Sequence, residues 1–191
     1  MEFLPETHTY IVNGKEVPSV TTLLTKVYGD AYSAVNEELL RRAAEYGTAV
    51  HEDIEQWINV RKAAPDAEII SPYPEVRNFF EMIEPIYKIT PIMTEKVVVL
   101  QNPDGEIIAA GRFDLLCEVD GKLTLADFKT TSVIHRELVT AQLNLYLRAA
   151  IQSGYLSSEG ADLGVIHLSG EKCRYVPIVK LRDSFLLNFY N

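Results

Sequence analysis

The chain reads as a mixed α/β (α+β) fold with helices packed on a central sheet, and three observations lead there. The first is order: helical patterns, a three-strand meander, another helix, then two further strands. The second is Asp120-Gly121 between two β-rich runs, a strong short-range signal for a two-residue hairpin. The third is size. With 191 residues, 47% of them hydrophobic, the chain can bury a sizeable core as one unit. That unit is expected to divide into an N-terminal hairpin with helices (1–46), a core (47–180) and a C-terminal helical segment (181–191).

The elements follow in order. Residues 9–12 and 15–17 flank Asn13-Gly14 and predict a small hairpin. Pro18-Ser19 opens a short helix over 20–27, stopped near Gly29. Ser33 reads as the N-cap of a helix to Tyr46. Gly47 is expected to end it, and Thr48 to start a second helix to about Arg61, with Val50, Ile54, Trp57 and Ile58 at helical spacing. Residues 62–73 form a proline-bearing loop, and Pro74 suits the first turn of a helix ending near Tyr87. The meander occupies 91–101, 107–119 and 122–129, with a turn at Asn102-Pro103-Asp104-Gly105. A helix over 136–153, strands over 163–169 and 173–179, and an amphipathic segment over 182–190 complete the chain.

Composition narrows the function. The formal net charge of −9 argues against gripping nucleic acid by bulk electrostatics; a nucleic-acid enzyme of this charge would need a local basic strip and a bound cation. Cys117 and Cys173 stand far apart, form no Cys-x-x-Cys pair and cannot supply the four thiolates of a zinc or iron–sulfur site, so no iron–sulfur cluster is expected. No apolar run approaches membrane-span length, and the start Met-Glu-Phe-Leu-Pro-Glu lacks a signal pattern. A reduced, cytoplasmic setting without membrane contact is the expectation.

The chemistry concentrates in the meander hairpin. Counting outward from Asp120-Gly121 puts Val119 across from Lys122 and Asp114 across from Asp127. Alternation adds Lys129 to that face, with Arg112 opposite it. Like charges directly opposed destabilise a sheet, and a divalent cation would compensate. Carboxylates suit Mg²⁺ or Mn²⁺, and a lysine beside them could orient water or balance developing charge. His51, with Glu55 one turn on, is a further candidate ligand, against the alternative of a surface or satisfied core histidine. Gln142 and Tyr146 share a helix face that could hold a phosphate or nucleotide, or could form an ordinary polar pair at a helix–sheet boundary. Glu95 falls opposite Arg112 if Gln101 pairs with Glu106, as an accessory site residue or a plain cross-strand ion pair.

Taken in order, these residues resemble the PD-(D/E)xK nuclease superfamily, in particular its RecB-like and phage exonuclease branch. The matching motifs are His51 in Gly-Thr-Ala-x-His, Asp114 in Gly-x-x-Asp, Asp127-x-Lys129 followed by Thr130-Thr131, and Gln142-x-x-x-Tyr146. The opening His8-x-Tyr10 with Val17-Pro-Ser-Val-Thr21 is also similar to phage-encoded members. The resemblance implies a restriction-endonuclease-like core and Mg²⁺-dependent (or Mn²⁺-dependent) DNA cleavage, as an exonuclease in phage-type recombination or repair. It implies that Asp114, Asp127 and Lys129 are catalytic. It also implies that His51, Asp114 and Asp127 hold metal and that Gln142 and Tyr146 position the DNA; the Phe128 backbone carbonyl, between the two motif residues, is a further candidate ligand, and Thr130 and Arg112 are candidate substrate contacts. Phe113 stands where some members have proline, and no P-loop is present. DNA is the expected partner, and the acidic surface makes a homo-oligomeric ring or a recombination partner protein an attractive way to keep DNA close. A structure-specific endonuclease and a catalytically silent DNA-binding module are the alternatives.

Overall fold

The computed structural model describes residues 2–4, 7, 9–29, 35–158, 160–170 and 173–190. The expected N-cap Ser33 and the motif residue His8 lie outside them. The architecture is mixed α/β: a five-stranded sheet, a three-stranded antiparallel sheet and helices packed around them. No helix among the described residues is long and apolar enough to cross a membrane.

The small sheet comes first and has one more strand than the sequence pattern suggests. β1 (Glu2–Leu4) pairs antiparallel with β2 (Thr9–Val12), which pairs with β3 (Lys15–Pro18) around Asn13-Gly14. A parallel bridge from Ser19 to Ala110 ties this sheet to the large one. Ser19 then caps α1 (Val20–Tyr28) by accepting the Thr22 amide, and Gly29 at φ 75° ends it.

α2 (Glu37–Ala63) is one unbroken helix of 27 residues, not the two expected. Asn36 caps it by accepting the Glu38 and Leu39 amides, Glu37 and Glu38 complement the dipole at its start, and Arg61 and Lys62 do so at its end. Gly47 does not break it, because a glycine inside a helix costs only about 1 kcal/mol relative to alanine and the flanking turns outweigh that. Its role is spatial: a Cβ there would stand 3.3 Å from Thr130 Oγ1, so the absence of a side chain lets the helix approach the chain just beyond Lys129. The predicted helix over 74–87 is also composite. α3 (Pro74–Asn78) passes into a wide π turn (Phe79–Ile83) and then α4 (Glu84–Ile86). Pro85 has no N–H to return, and the widened turn before it shifts the hydrogen-bond ladder at that point.

The large sheet runs β4 (Thr90–Gln101), β5 (Ile107–Val119), β6 (Lys122–Lys129), β7 (Asp162–His167), β8 (Arg174–Ile178) in spatial order. All pairings are antiparallel except β6 with β7, which α5 (Arg136–Gln152) connects as a crossover. Asp120 (φ 48°) and Gly121 (φ 77°) both take the left-handed conformation that a tight hairpin demands, and Val119 pairs with Lys122 as counted. The last described elements are α6 (Asp183–Leu186) and a 3₁₀ turn (Leu187–Phe189).

Each face of the sheet carries its own core. α1 and α5 cover one with Leu24, Leu143 and Leu145 against Leu100, Phe113 and Leu125. α2 and the helical segment over 74–86 cover the other, with Ile54, Phe79 and Ile83 against Leu115, Phe128 and Ile166. Phe113 and Leu115, two residues apart on β5, belong to opposite cores, so strand alternation breaks at Asp114. In β7, Gly164 leaves space that the Tyr175 ring fills from β8. Gly164→Ala would drive a methyl into that ring, and we expect a loss of about 1–3 kcal/mol, the usual cost of overpacking, read as a lower urea midpoint. An unchanged midpoint would mean that Tyr175 does not pack there in solution.

Candidate active site

The antiparallel ladder between β5 and β6 closes at Leu115–Ala126, one step before the two aspartates. Past that step β5 stays with β4, and β6 stays with β7 out to Lys129–His167. Between the parting strands Asp114 Oδ2 accepts the Phe128 amide at 2.8 Å. Asp114 therefore does not meet Asp127 as a simple cross-strand pair. Arg112 is likewise not across from Lys129: it pairs with Val97 on β4.

Asp114 turns toward α2. His51 Nδ1 lies 3.5 Å from its Oδ2, and the His51 ring meets the buried Phe128 ring edge-on with centroids 5.7 Å apart. Glu95 completes this group. A register irregularity at Leu100/Gln101 places Gln101 opposite Ile107, and Thr94–Leu115 and Lys96–Phe113 bracket Glu95 against Asp114. The expected position opposite Arg112 is thus two residues out, a displacement that preserves the face. Glu95 adopts φ 52°, a conformation uncommon for any residue but glycine. Its carboxylate nevertheless reaches Arg112, whose Nε stands 2.6 Å from Oε2. Ligand atoms of His51, Glu95 and Asp114 all lie within 4.8 Å of one another. An imidazole nitrogen and two carboxylates, all half-buried, are a donor set that fits Mn²⁺ or Mg²⁺.

Asp127 has a separate environment. It is 3% exposed, and Lys129 Nζ approaches its Oδ2 at 2.7 Å. Burial pushes the Asp127 carboxyl up from the usual range, the Lys129 ammonium pulls it back, and the nearby Asp114 charge raises it again. Lys129 Nζ also points to Gln142 Oε1 at 3.5 Å, the outer limit of a hydrogen bond. Gln142 in turn bonds the buried Tyr146 phenol, which burial, Asp114 and Asp127 all keep protonated. Tyr146 packs so closely on β5 that a Cβ on Gly111 would come 2.7 Å from its ring. Phe128 reaches the site through its amide and ring, whereas Thr130 stands beside Gly47 of α2 and does not line the cleft that holds His51, Glu95 and Asp114.

Glu55 stands where the sequence places it, one turn from His51, whereas Glu52 and His167 have little or no signal in the sequence. Glu52 and Glu55 line the same cleft as His51 and Glu95, and Glu55 accepts the Thr94 hydroxyl at 3.0 Å; Glu52, one residue from His51, falls outside a simple helix-face count. His167 sits at the end of β7, 4% exposed, with Nε2 2.7 Å from the Thr131 carbonyl oxygen, and so anchors the chain leaving Lys129. Only the Lys129–His167 pairing, which the sequence does not reveal, brings it there.

No family model and no curated protein match the chain. Nineteen solved chains match the structure. Among them, the crystal structure of SSO0001 aligns with TM-score 0.51 and 13% sequence identity, over 93% of this chain and 74% of that one. At that identity the likeness concerns the fold alone.

The acid cluster makes stability depend on pH. Burial first, then Asp114, Glu55 and Glu52, push the Glu95 carboxyl up to about 8, against a smaller lowering by Arg112. A group raised in the folded state contributes stability that is complete below its unfolded value and lost as pH rises through the folded one. Without divalent metal, the melting temperature should therefore fall between about pH 5 and pH 9, and Glu95→Gln should flatten that fall. An equal slope in the variant would place the titration elsewhere.

Proposed function

We propose that the chain is a metal-dependent deoxyribonuclease of the PD-(D/E)xK type, built on a restriction-endonuclease-like core and acting as an exonuclease in recombination or repair. The observation that carries this reading is the convergence of His51, Glu95 and Asp114 beside the buried Asp127–Lys129 ion pair. Three donors of this chemistry, next to an ammonium held in place, can supply metal-assisted phosphodiester hydrolysis. Repulsion among Glu95, Asp114, Glu55 and Glu52 supports it further, because a divalent cation relieves that repulsion.

His51, Glu95 and Asp114 would hold the cation, with the second oxygen of Asp127 and the Phe128 carbonyl as further ligands. Once bound, Mg²⁺ or Mn²⁺ supplies Lewis-acid polarisation of a phosphoryl oxygen and a lowered pKa for coordinated water. Lys129 would act beside that group of ligands, where its ion pair with Asp127 holds it. Asp127 and Gln142 fix its ammonium, which orients the attacking water and meets the charge that develops in the transition state. Asp127 thereby holds Lys129 in position. Arg112, 50% exposed at its side chain beside Glu95, offers a local contact for a neighbouring phosphate that the net charge of −9 does not provide. Tyr146 completes the substrate side. A ring of identical chains or a recombination partner would keep the DNA close.

Linear and closed circular DNA, incubated with and without Mg²⁺, test the reading directly. Degradation of the linear form from its ends, with the circle spared, is expected. Nicking of the circle would make the enzyme an endonuclease, and no cleavage under either condition would overturn the proposal.

Variants separate the roles. Mg²⁺ or Mn²⁺ should raise the wild-type melting temperature by binding only the folded state. Asp114→Asn and His51→Ala should weaken that response, and residual His51→Ala activity should recover partly at high metal concentration. Lys129→Ala should keep the metal-dependent melting shift while losing about 100- to 1,000-fold in turnover. Near-normal turnover in Lys129→Ala would remove it from the chemical step.

A further inference from the structure

His167 is a buried polar residue that the hydrolytic chemistry leaves without a task. It is 4% exposed. A carbonyl oxygen only accepts, so the 2.7 Å contact with the Thr131 oxygen requires a proton on Nε2. The other ring nitrogen, Nδ1, is buried and meets no hydrogen-bond partner among the described residues. Burying a polar atom in this way is costly, and an apolar side chain at the same position would avoid the cost. The Nε2 bond to Thr131 is what an apolar side chain would not supply.

That bond falls at a junction of the candidate site. Lys129 is the last residue of β6, and residues 130–135 lead from it to α5 outside any helix or strand. The end of a strand is where a ladder frays first. Two bonds from β7 and its exit oppose fraying here. The Leu168 amide donates to the Lys129 carbonyl at 2.8 Å, and His167 reaches two residues further, to Thr131. Register partners on adjacent strands share a face, and His167 is the partner of Lys129. Val165 and Leu125 belong to the core under α1 and α5, so alternation puts His167, Asp127 and Lys129 on that same side of the sheet. Beyond residues 130–135, α5 carries Gln142, whose Oε1 stands 3.5 Å from Lys129 Nζ. The clamped carbonyl thus lies on the chain between the two partners of that contact, and a shift of this segment moves one relative to the other.

We infer that His167 is a positioning residue for the hydrolysis proposed above. By holding Thr131 through Nε2–H, it fixes the end of β6 that presents the Lys129 ammonium and the entry to the helix that presents Gln142. It acts through Lys129 rather than on the substrate. Its chemical consequence rests on the nuclease reading, whereas the clamp itself is a property of the fold.

Replacements in the full chain separate a clamp from a packing role. Glutamine can place an amide nitrogen where Nε2 stands, asparagine reaches only as far as Nδ1, and leucine fills the space with no donor. His167→Leu and His167→Asn should keep the Mg²⁺-dependent melting shift, because His51, Glu95 and Asp114 are untouched. On linear DNA with Mg²⁺ both should lose about 10- to 100-fold in kcat, the cost of misplacing a reacting group, with KM within about twofold. His167→Gln should recover most of that loss. In a Lys129→Ala background His167→Leu should remove nothing further, since the group it positions is gone. Unchanged kcat in His167→Leu and His167→Asn overturns the assignment, as does an equal loss in the Lys129→Ala background or a His167→Gln variant no better than His167→Leu. If His167→Leu does not fold, the His167→Gln and His167→Asn pair decides by the same criteria. Hydrogen exchange reads the clamp without turnover. The Leu168 amide should exchange about 2- to 10-fold faster in His167→Asn than in wild type or His167→Gln, as for one lost hydrogen bond. Equal exchange in all three overturns the clamp. A wild-type protein that cleaves no DNA while the exchange difference holds overturns the nuclease reading and leaves the clamp standing.

Discussion

Where β5 and β6 separate, the amide of Phe128 would point into a gap left by its lost partner strand. An orphaned buried N–H costs about 1–3 kcal/mol, so the separation needs a substitute acceptor. Asp114 is that acceptor, at 2.8 Å. The bond lets two neighbouring strands part without penalty and opens a cleft in the sheet. It fixes the Asp114 carboxylate beside His51, and it holds Phe128 so that its ring lies against both His51 and Phe79. The break in strand alternation between Phe113 and Leu115 occurs at the same residue. The candidate site is therefore a consequence of how the sheet ends its β5–β6 ladder.

The carboxylates around that cleft are kept apart in function by burial. Asp127, 3% exposed, is compensated by a covalently close cation two residues along its own strand. Glu95 has a partner in Arg112 but remains crowded by other acids, and its carboxyl rises to about 8. The first arrangement holds a charge in place, and the second stores a demand for positive charge. Helix α2 can bring His51 to this demand because Gly47 lets it approach Thr130, and His167 anchors the same chain segment from β7.

Much of this was legible in the residues themselves, and the reason is locality. The hairpin over 107–129 follows from Asp120-Gly121, whose positive φ angles need only a two-residue turn. The Ser19 cap, the α5 helix and the face shared by Gln142 and Tyr146 depend on spacings of three or four residues. Gly47 misled for the same reason: read locally, a glycine ends a helix, whereas its use here is a contact with Thr130, more than eighty positions on.

The order of residues suffices for the inventory of reactive groups and the secondary structure that displays them: His51 on a helix, Asp114, Asp127 and Lys129 on one hairpin, and a mixed fold around them. Turn chemistry and short periodicities settle those features, since they involve neighbours along the chain. Which groups meet follows from packing between distant segments. Glu95 joined His51 and Asp114 because of a register irregularity beyond a longer turn, and Asp127 was drawn to Lys129 by burial. His167 came to the end of β6 because β6 and β7 pair in parallel across the α5 crossover. These outcomes depend on strand register, sheet divergence and desolvation, which are set by the packing of segments remote from one another in sequence.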